Sequence, residues 1–336
     1  MTGPLSVVIP VWNDREGLRR LLAQLAGLAA VGQVIVVDDA SEEPADPLAP
    51  DLRPEGMQAE VVFLRNARQR GAGYARNRGL AHATLPWTLF LDSDDSLLPA
   101  IGPLLADLEG REFDVCVFAH ADSRVVAAGG RGPLEGDVRL WQEAGARGAL
   151  APLGPGGLPH LIQISAYPWN KVYRTDFLRE AGLSFTEIAV HNDVEIHWRS
   201  LLAADTILVS DRVCLLHRVA SRGGRLTNRE GDARLALPQA IAPILPDLAR
   251  AGPDYALPFA RFLAALHHWA GERTAPQYRA RLHRELWTLY ARATDADSFA
   301  RVAAGDPELA ARIASMVQDM PADPKPQPDP APEQAA

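Results

Sequence analysis

Four short apolar runs in the first third of the chain constrain its fold more than any other feature. They are SVVIPV (6–11), QVIVV (33–37), EVVFL (60–64) and WTLFL (87–91). Each is too short for a buried helix and several are rich in β-branched residues, which marks strands covered on both faces. Between the first two, Leu18, Leu21, Leu22, Leu25 and Leu28 fall on one helical stripe, with Asn13 or Asp14 in capping position. A second helix is predicted over 73–83. Strand–helix alternation of this kind predicts an α/β fold with a mostly parallel sheet flanked by helices.

The rhythm breaks after FDVCVFA (113–119). Residues 123–159 are rich in Gly, Pro and Arg and read as an excursion beside the sheet. Helical patterns resume near 172–182 and 193–204, with a strand at 212–216. From 230 to 320 the pattern is wholly helical. The tail PADPKPQPDPAPEQAA offers no core-forming periodicity and reads as disordered. The expected organisation is therefore an α/β domain over 1–228, an all-α region over 229–320 and a tail over 321–336.

Composition excludes some functions. With 42 acidic against 34 basic residues, the net charge of −8 argues against sequence-independent nucleic-acid binding. The two cysteines, Cys116 and Cys214, lie in apolar segments and read as core thiols of a reducing compartment. No apolar run approaches the roughly 18 residues that a bilayer requires. The start MTGPLSVVIPVW lacks a basic leader and reads as a first strand, so the expected location is cytoplasmic.

Open parallel sheets bind ligands beyond the carboxyl ends of their strands. Three polar clusters stand there: Trp12-Asn13-Asp14, Asp38-Asp39 and Asp92-Ser93-Asp94-Asp95. An acidic cluster after a strand can cap the next helix, or it can hold a divalent cation. Acids at two strand ends on one rim favour the cation, because their charges need compensation. The following stretch RNARQRGAGYARNRG carries Arg65, Arg68, Arg70, Arg76 and Arg78, with Gly71 and Gly73 permitting close backbone approach. It reads either as an anion site at a helix N-terminus or as an exposed basic helix face. A dinucleotide fingerprint fits less well. Arg76 occupies its third glycine position, and the loop begins several residues beyond its strand.

Taken in order, SVVIPVWND, VIVVDDAS, GAGYARNRGL, FLDSDD, WNKVYRTDFLREAGLSF, HNDVEIHWRSLLAA, LLHR and SRGGRLT resemble the family 2 glycosyltransferases and their GT-A fold. The resemblance runs from the N-terminus to about Thr227. It implies a nucleoside-diphosphate sugar as donor, a UDP-sugar favoured, with Mn²⁺ or Mg²⁺ as cofactor. Pro10, Val11 and Trp12 would wall the base, Asp39 beside Asp38 would contact the uracil or ribose, and Arg76 would reach the base or diphosphate. Asp92 with Ser93 would meet the ribose and Asp94 the metal, while Asp95 would cap the next helix. Trp169, Asn170 and Lys171 of the WNK segment would meet phosphate or acceptor, and His217 matches a metal ligand of some relatives. HNDVEIHW matches the acid-containing segment that carries the family's base, so Asp193 is the candidate base and Glu195 the alternative. The family's usual Glu is replaced here by Asn192.

The resemblance implies inverting transfer to a saccharide or lipid-linked acceptor in polysaccharide or glycoconjugate synthesis. A lipid-linked acceptor would bring peripheral association with the inner face of the membrane. Two other classes stay open. A nucleotidyltransferase shares the sheet, carboxylates and metal, although VWNDREG is not the glycine-rich loop it needs. A catalytically inactive nucleotide-sugar-binding module would be compatible with Asn192.

Overall fold

The computed structural model describes residues 3–219 and 231–318. The SRGGRLT segment and the proline-rich tail lie outside the described residues, as does the boundary expected near 228.

Nine strands form one sheet: β1 (Leu5–Val11), β2 (Val31–Asp38), β3 (Glu60–Arg65), β4 (Trp87–Phe90), β5 (Ser96–Leu97), β6 (Val115–Asp122), β7 (Ala151–Pro152), β8 (Lys171–Arg174) and β9 (Ile207–His217). Their order is β3-β2-β1-β4-β8-β6-β9-β5, with β7 paired to β9. The first four run parallel, as expected. Beyond β4 the sheet is mixed, because β8 enters antiparallel to both β4 and β6, while β6 and β9 are parallel. The order reverses at β1, which lies between β2 and β4. Ligands bind at such a switch point, beyond the strand ends.

Side chains of the parallel strands divide between two cores, which is why these runs are apolar throughout. Val7, Ile9, Val34 and Val36 pack with Leu18, Leu21, Leu22 and Leu25 of helix Arg15–Ala26 and with Leu104, Leu105 and Leu108 of helix Ile101–Leu108. Val8, Ile35, Val37 and Phe90 face the other way, into a core shared with helix Val194–Ala203 and the C-terminal helices. Cys116 and Cys214 are buried free thiols.

The second half corrects two expectations. Helix was anticipated over 172–182, but KVYR is a strand and the helix begins only at Thr175. Val172 and Tyr173 point into opposite cores, a period-2 demand that outweighs local propensity. The excursion at 123–159 carries helices Ser123–Ala127 and Glu135–Glu143 as well as β7. The C-terminal region is helical as read, with Ala256–Glu272 and Pro276–Ala293 its longest members. It packs directly on the helix behind the candidate base: Trp198 meets Phe259 and Phe262 at ring-centroid distances of 5.0 and 5.2 Å. Among the described residues no helix is long and apolar enough to cross a membrane.

Candidate active site

Among the described residues, Asn13, Ala40 and His191 are the non-glycine residues with positive φ, at 51°, 62° and 61°. Asn13 and Ala40 follow β1 and β2, and His191 lies two residues before Asp193. Non-glycine residues adopt this conformation rarely, and such strain gathers at functional sites.

At the β1 and β2 ends the polar side chains are consumed by the chain itself. Asp14 caps helix Arg15–Ala26 through the Gly17 amide and accepts a 2.8 Å hydrogen bond from Ser93 Oγ. Asp38 accepts from the Ser41 and Ala45 amides, at 2.8 and 3.2 Å, and from Arg65 Nη1 at 2.7 Å. Asp39 accepts from Asn66 Nδ2 and the Gly71 amide at 2.7 Å and from the Arg70 amide at 2.9 Å. Val11 belongs to the core and Pro10 is buried, leaving half-buried Trp12 as the exposed member of the expected base wall. Of the five arginines, Arg65 and Arg78 donate inward and Arg76 is buried, while Arg68 and Arg70 are exposed. Close helix–sheet packing is met at Gly79, where a Cβ would sit 2.4 Å from Val8 Cγ1, and not at Arg76.

The acids after β4 are placed differently. One carboxylate oxygen each from Asp92, Asp94 and Asp95 lies within 4.8 Å of the others. Asp95 does not cap helix Ile101–Leu108, which has no side-chain cap. It is buried instead and accepts from His217 Nδ1 at 3.0 Å and from the Arg218 amide at 2.8 Å. Its Oδ2 is buried with no partner. Burial pushes the Asp95 carboxyl up, against the pull of His217. Three carboxylates within reach of one another, one of them with an orphaned buried oxygen, form a donor set suited to Mn²⁺ or Mg²⁺. His217, expected as a ligand, engages Asp95 of this cluster through Nδ1, a contact that orients a carboxylate within a metal site. Burial lowers its imidazole, but Asp95, Asp92 and Asp122 together raise it above the ordinary histidine value.

Arg76 joins this cluster to the HND segment. It is 4% exposed, and its guanidinium donates to Asp92 Oδ1 on one side and to Asn192 Oδ1, at 2.7 Å, on the other. Gly73 makes the approach possible: a Cβ there would lie 2.3 Å from the Thr186 carbonyl oxygen and 3.0 Å from Asn192 Cβ. Asp193 sits at the N-cap of helix Val194–Ala203 yet makes no side-chain capping bond. Burial raises its carboxyl to about 6, opposed by Arg76 and Lys171 and assisted by Asp92. Glu195 is occupied on both oxygens, by Thr186 Oγ1 at 2.6 Å and Arg199 Nη1 at 2.9 Å. A carboxylate poised near neutral pH and free of a capping role is what a general base requires.

The WNK residues lie beneath this surface. Trp169 stacks on Tyr167 with centroids 4.4 Å apart, and His217 lies 5.1 Å from each, so the three rings form one cluster. Lys171 is fully buried, and Nζ donates at 2.7 Å to both the Tyr167 carbonyl and Asn170 Oδ1. Burial pulls its ammonium down to about 7, against the carboxylates of Asp193 and Asp137. Tyr167 and Asp137 were not singled out from sequence. Asp137 is buried and accepts from the Ser165 amide at 2.9 Å, a partnership that nothing in the Gly/Pro/Arg-rich excursion signals.

Residues 6–147 match the family model described as Glycosyl transferase family 2. The chain is 32% identical over 199 residues to the Pre-mycofactocin glycosyltransferase of Mycobacterium tuberculosis, covering 59% of this chain and 39% of that relative. It is 32% identical over 126 residues to the Undecaprenyl-phosphate 4-deoxy-4-formamido-L-arabinose transferase of Sodalis glossinidius, covering 34% of this chain and 38% of that one. It thus spans about two-fifths of the length of these curated relatives. The crystal structure of S. aureus TarS 1–349 in complex with UDP-GlcNAc is similar with a TM-score of 0.74 at 18% identity, covering 94% of this chain and 88% of that chain. The UDP complex of the same protein gives 0.70 at 19% identity, with the same coverage. At this identity the likeness establishes the fold: a GT-A-type sheet flanked by helices and followed by a helical region.

Proposed function

We propose that this chain, which carries a family 2 glycosyltransferase domain, is an inverting, metal-dependent glycosyltransferase that takes its sugar from a nucleoside diphosphate. The observation that carries the reading is the bridge made by Arg76. One buried guanidinium holds the carboxylate cluster after β4 and the loop bearing Asp193 together, although they are about a hundred residues apart in sequence. A donor diphosphate over the cluster would then present its anomeric carbon to an acceptor hydroxyl beside Asp193. Asp193 takes the hydroxyl proton as the oxygen attacks, and the sugar–phosphate bond breaks on the opposite face. A single base on the acceptor side, with no carboxylate nucleophile, leads to inversion. Arg76 would stabilise negative charge on the leaving diphosphate. Mn²⁺ or Mg²⁺ held by Asp92, Asp94 and Asp95 would neutralise that charge further.

TarS complexes with UDP and UDP-GlcNAc support a uridine donor. The relative named for an undecaprenyl phosphate substrate supports a lipid-linked acceptor and work at a membrane surface, in glycoconjugate or polysaccharide synthesis. The test is nucleoside diphosphate release from a panel of nucleotide sugars, with Mn²⁺ or Mg²⁺ and candidate acceptors. Wild type should release the diphosphate and Asp193→Asn should not, with donor binding by calorimetry unchanged. Pyrophosphate release would point to nucleotidyl transfer, and binding without turnover to an inactive module.

A further inference from the structure

The loop that carries Asp193 is held from two sides, and one of them lies outside the α/β domain. On the sheet side, Arg76 grips Asn192, and the Asn192 carbonyl accepts a 3.1 Å hydrogen bond from the Thr186 amide. On the other side, the His191 ring meets the indole of Trp269, in helix Ala256–Glu272, with centroids 5.2 Å apart and planes at 81°. His191 is the residue with a φ of 61°, and its carbonyl accepts from the Val194 amide at 3.4 Å. The left-handed turn at 191 therefore sets the direction in which the chain enters Asp193. A non-glycine residue keeps that conformation only where its surroundings over-determine it.

Trp269 is itself held in place. The Arg273 guanidinium carbon lies 4.3 Å from its ring centroid and that of Arg234 5.3 Å away. Arg234 Nη1 also donates at 2.9 Å to the Arg273 carbonyl. These are cation–π contacts on a half-buried indole, which leave the ring little freedom. Burial, with Arg234 nearby, lowers the His191 imidazole to about 3, so the His191–Trp269 contact stays neutral across the working range of an enzyme.

We infer that Trp269 is a positioning residue for Asp193: by packing on His191 it fixes the left-handed turn from which the base projects, so that the helical region completes the active site. This rests on the reading of Asp193 as base. A displacement of about an ångström at a reacting group is worth up to roughly a hundredfold in rate. Losing the indole should therefore act on turnover while the donor site, on the far side of Arg76, keeps its affinity.

The experiment uses the full chain, with kcat and donor KM for wild type and for Asp193→Asn, Trp269→Ala, Trp269→Phe, His191→Gly and the Trp269→Ala/His191→Gly pair. Trp269→Ala should lower kcat roughly tenfold to a hundredfold with donor KM within about twofold, and Trp269→Phe should restore most of it. His191→Gly keeps the backbone freedom but loses the ring and should match Trp269→Ala. The pair should be no worse than either single change, because both break one contact. Wild-type kcat in either single variant, or additive losses in the pair, would overturn the inference. Should Trp269→Ala not fold, His191→Gly decides, since it leaves the helical core untouched. Full activity in Asp193→Asn would instead remove the base assignment, and the inference with it. An inert Asp193→Asn beside an unaffected His191→Gly would remove the inference alone.

Discussion

Asp38 ends β2 and Asp39 follows it, while Asp92, Asp94 and Asp95 follow β4, and both groups stand on the same rim of the sheet. The first two carboxylates each accept from three donors, four of the six being backbone amides of the loops that follow β2 and β3. In the second group Asp92 accepts from a guanidinium and Asp95 from an imidazole and an amide, yet Asp95 Oδ2 is buried with no partner. Charge of one sign is thus stitched into the fold at β2, whereas at β4 a buried carboxylate oxygen of Asp95 is left without a partner. Carboxylate oxygens with their own amide donors are satisfied within the fold, whereas a buried carboxylate oxygen without a donor calls for a ligand. The contrast makes the β2 acids candidates for a stabilising role and the β4 acids, with Asp193 of the proposed mechanism, candidates for chemistry.

The strongest way to break that contrast is at Asp193. Asp193→Asn should cost transfer roughly a hundredfold to ten-thousandfold, the usual effect of removing a general base, with little change in thermal midpoint. Asp94→Ala follows, with a loss on the order of a hundredfold or more in turnover and loss of metal-dependent donor binding. Calorimetry with and without chelator measures the second effect, and donor affinity that ignores both chelator and substitution would remove the metal assignment. Asp38→Ala should do the reverse. It orphans two amides and the Arg65 guanidinium, at a cost on the order of 3 kcal/mol, and should lower Tm by several degrees. Activity per folded molecule should stay within a few-fold. A donor-binding defect at unchanged Tm would return Asp38 to the nucleotide site and erase the distinction.

These partnerships explain what could be read in advance. The parallel half of the sheet was legible because its apolar runs are buried on both faces in β1, β2 and β4 and half-buried even at the edge strand β3, and the C-terminal helices because their stripes are long. β8 was not, since four residues are too few to display a period and only pairing with β4 and β6 makes KVYR a strand. Asp193 stood out as a candidate through its segment, and the acidic cluster through its crowding. The hydrogen bonding of Asp39 was hidden, because two of its three donors are the backbone amides of Arg70 and Gly71, and amides carry no sequence signal. Equally hidden was the hold on His191, which comes from an indole 78 positions further along the chain.

A smaller effect sharpens the chemistry of the poised carboxylate. With its carboxyl raised to about 6, Asp193 accepts a proton only above that pH. kcat/KM should therefore fall about tenfold per unit as pH drops below 6, following one proton. An acid limb centred near the ordinary aspartate value would show that burial does not tune the base. Asp193→Asn should flatten the limb altogether.

The smallest effect concerns Lys171, and it tests whether a buried cation acts on the base without touching substrate. Lys171 Nζ is fully buried on two neutral acceptors, the Tyr167 carbonyl and Asn170 Oδ1. Its positive charge holds the Asp193 carboxyl below where burial alone would put it. Lys171→Met removes that charge at similar volume, so the Asp193 carboxyl should rise and the acid limb should move to higher pH. At pH 7 the loss should be less than about twofold, because most of the base stays ionised. Stability provides a second reading. Burial lowers the lysine from 10.5 to about 7, so between those values the unfolded chain binds the extra proton. The wild type therefore gains stability as pH rises through that window and loses it as pH falls toward 7, where the penalty becomes constant. Lys171→Met should lack that dependence, which denaturant titrations at pH 7 and pH 9 would resolve. A large rise in donor KM for Lys171→Met, with an unmoved acid limb, would mean instead that the lysine reaches the diphosphate.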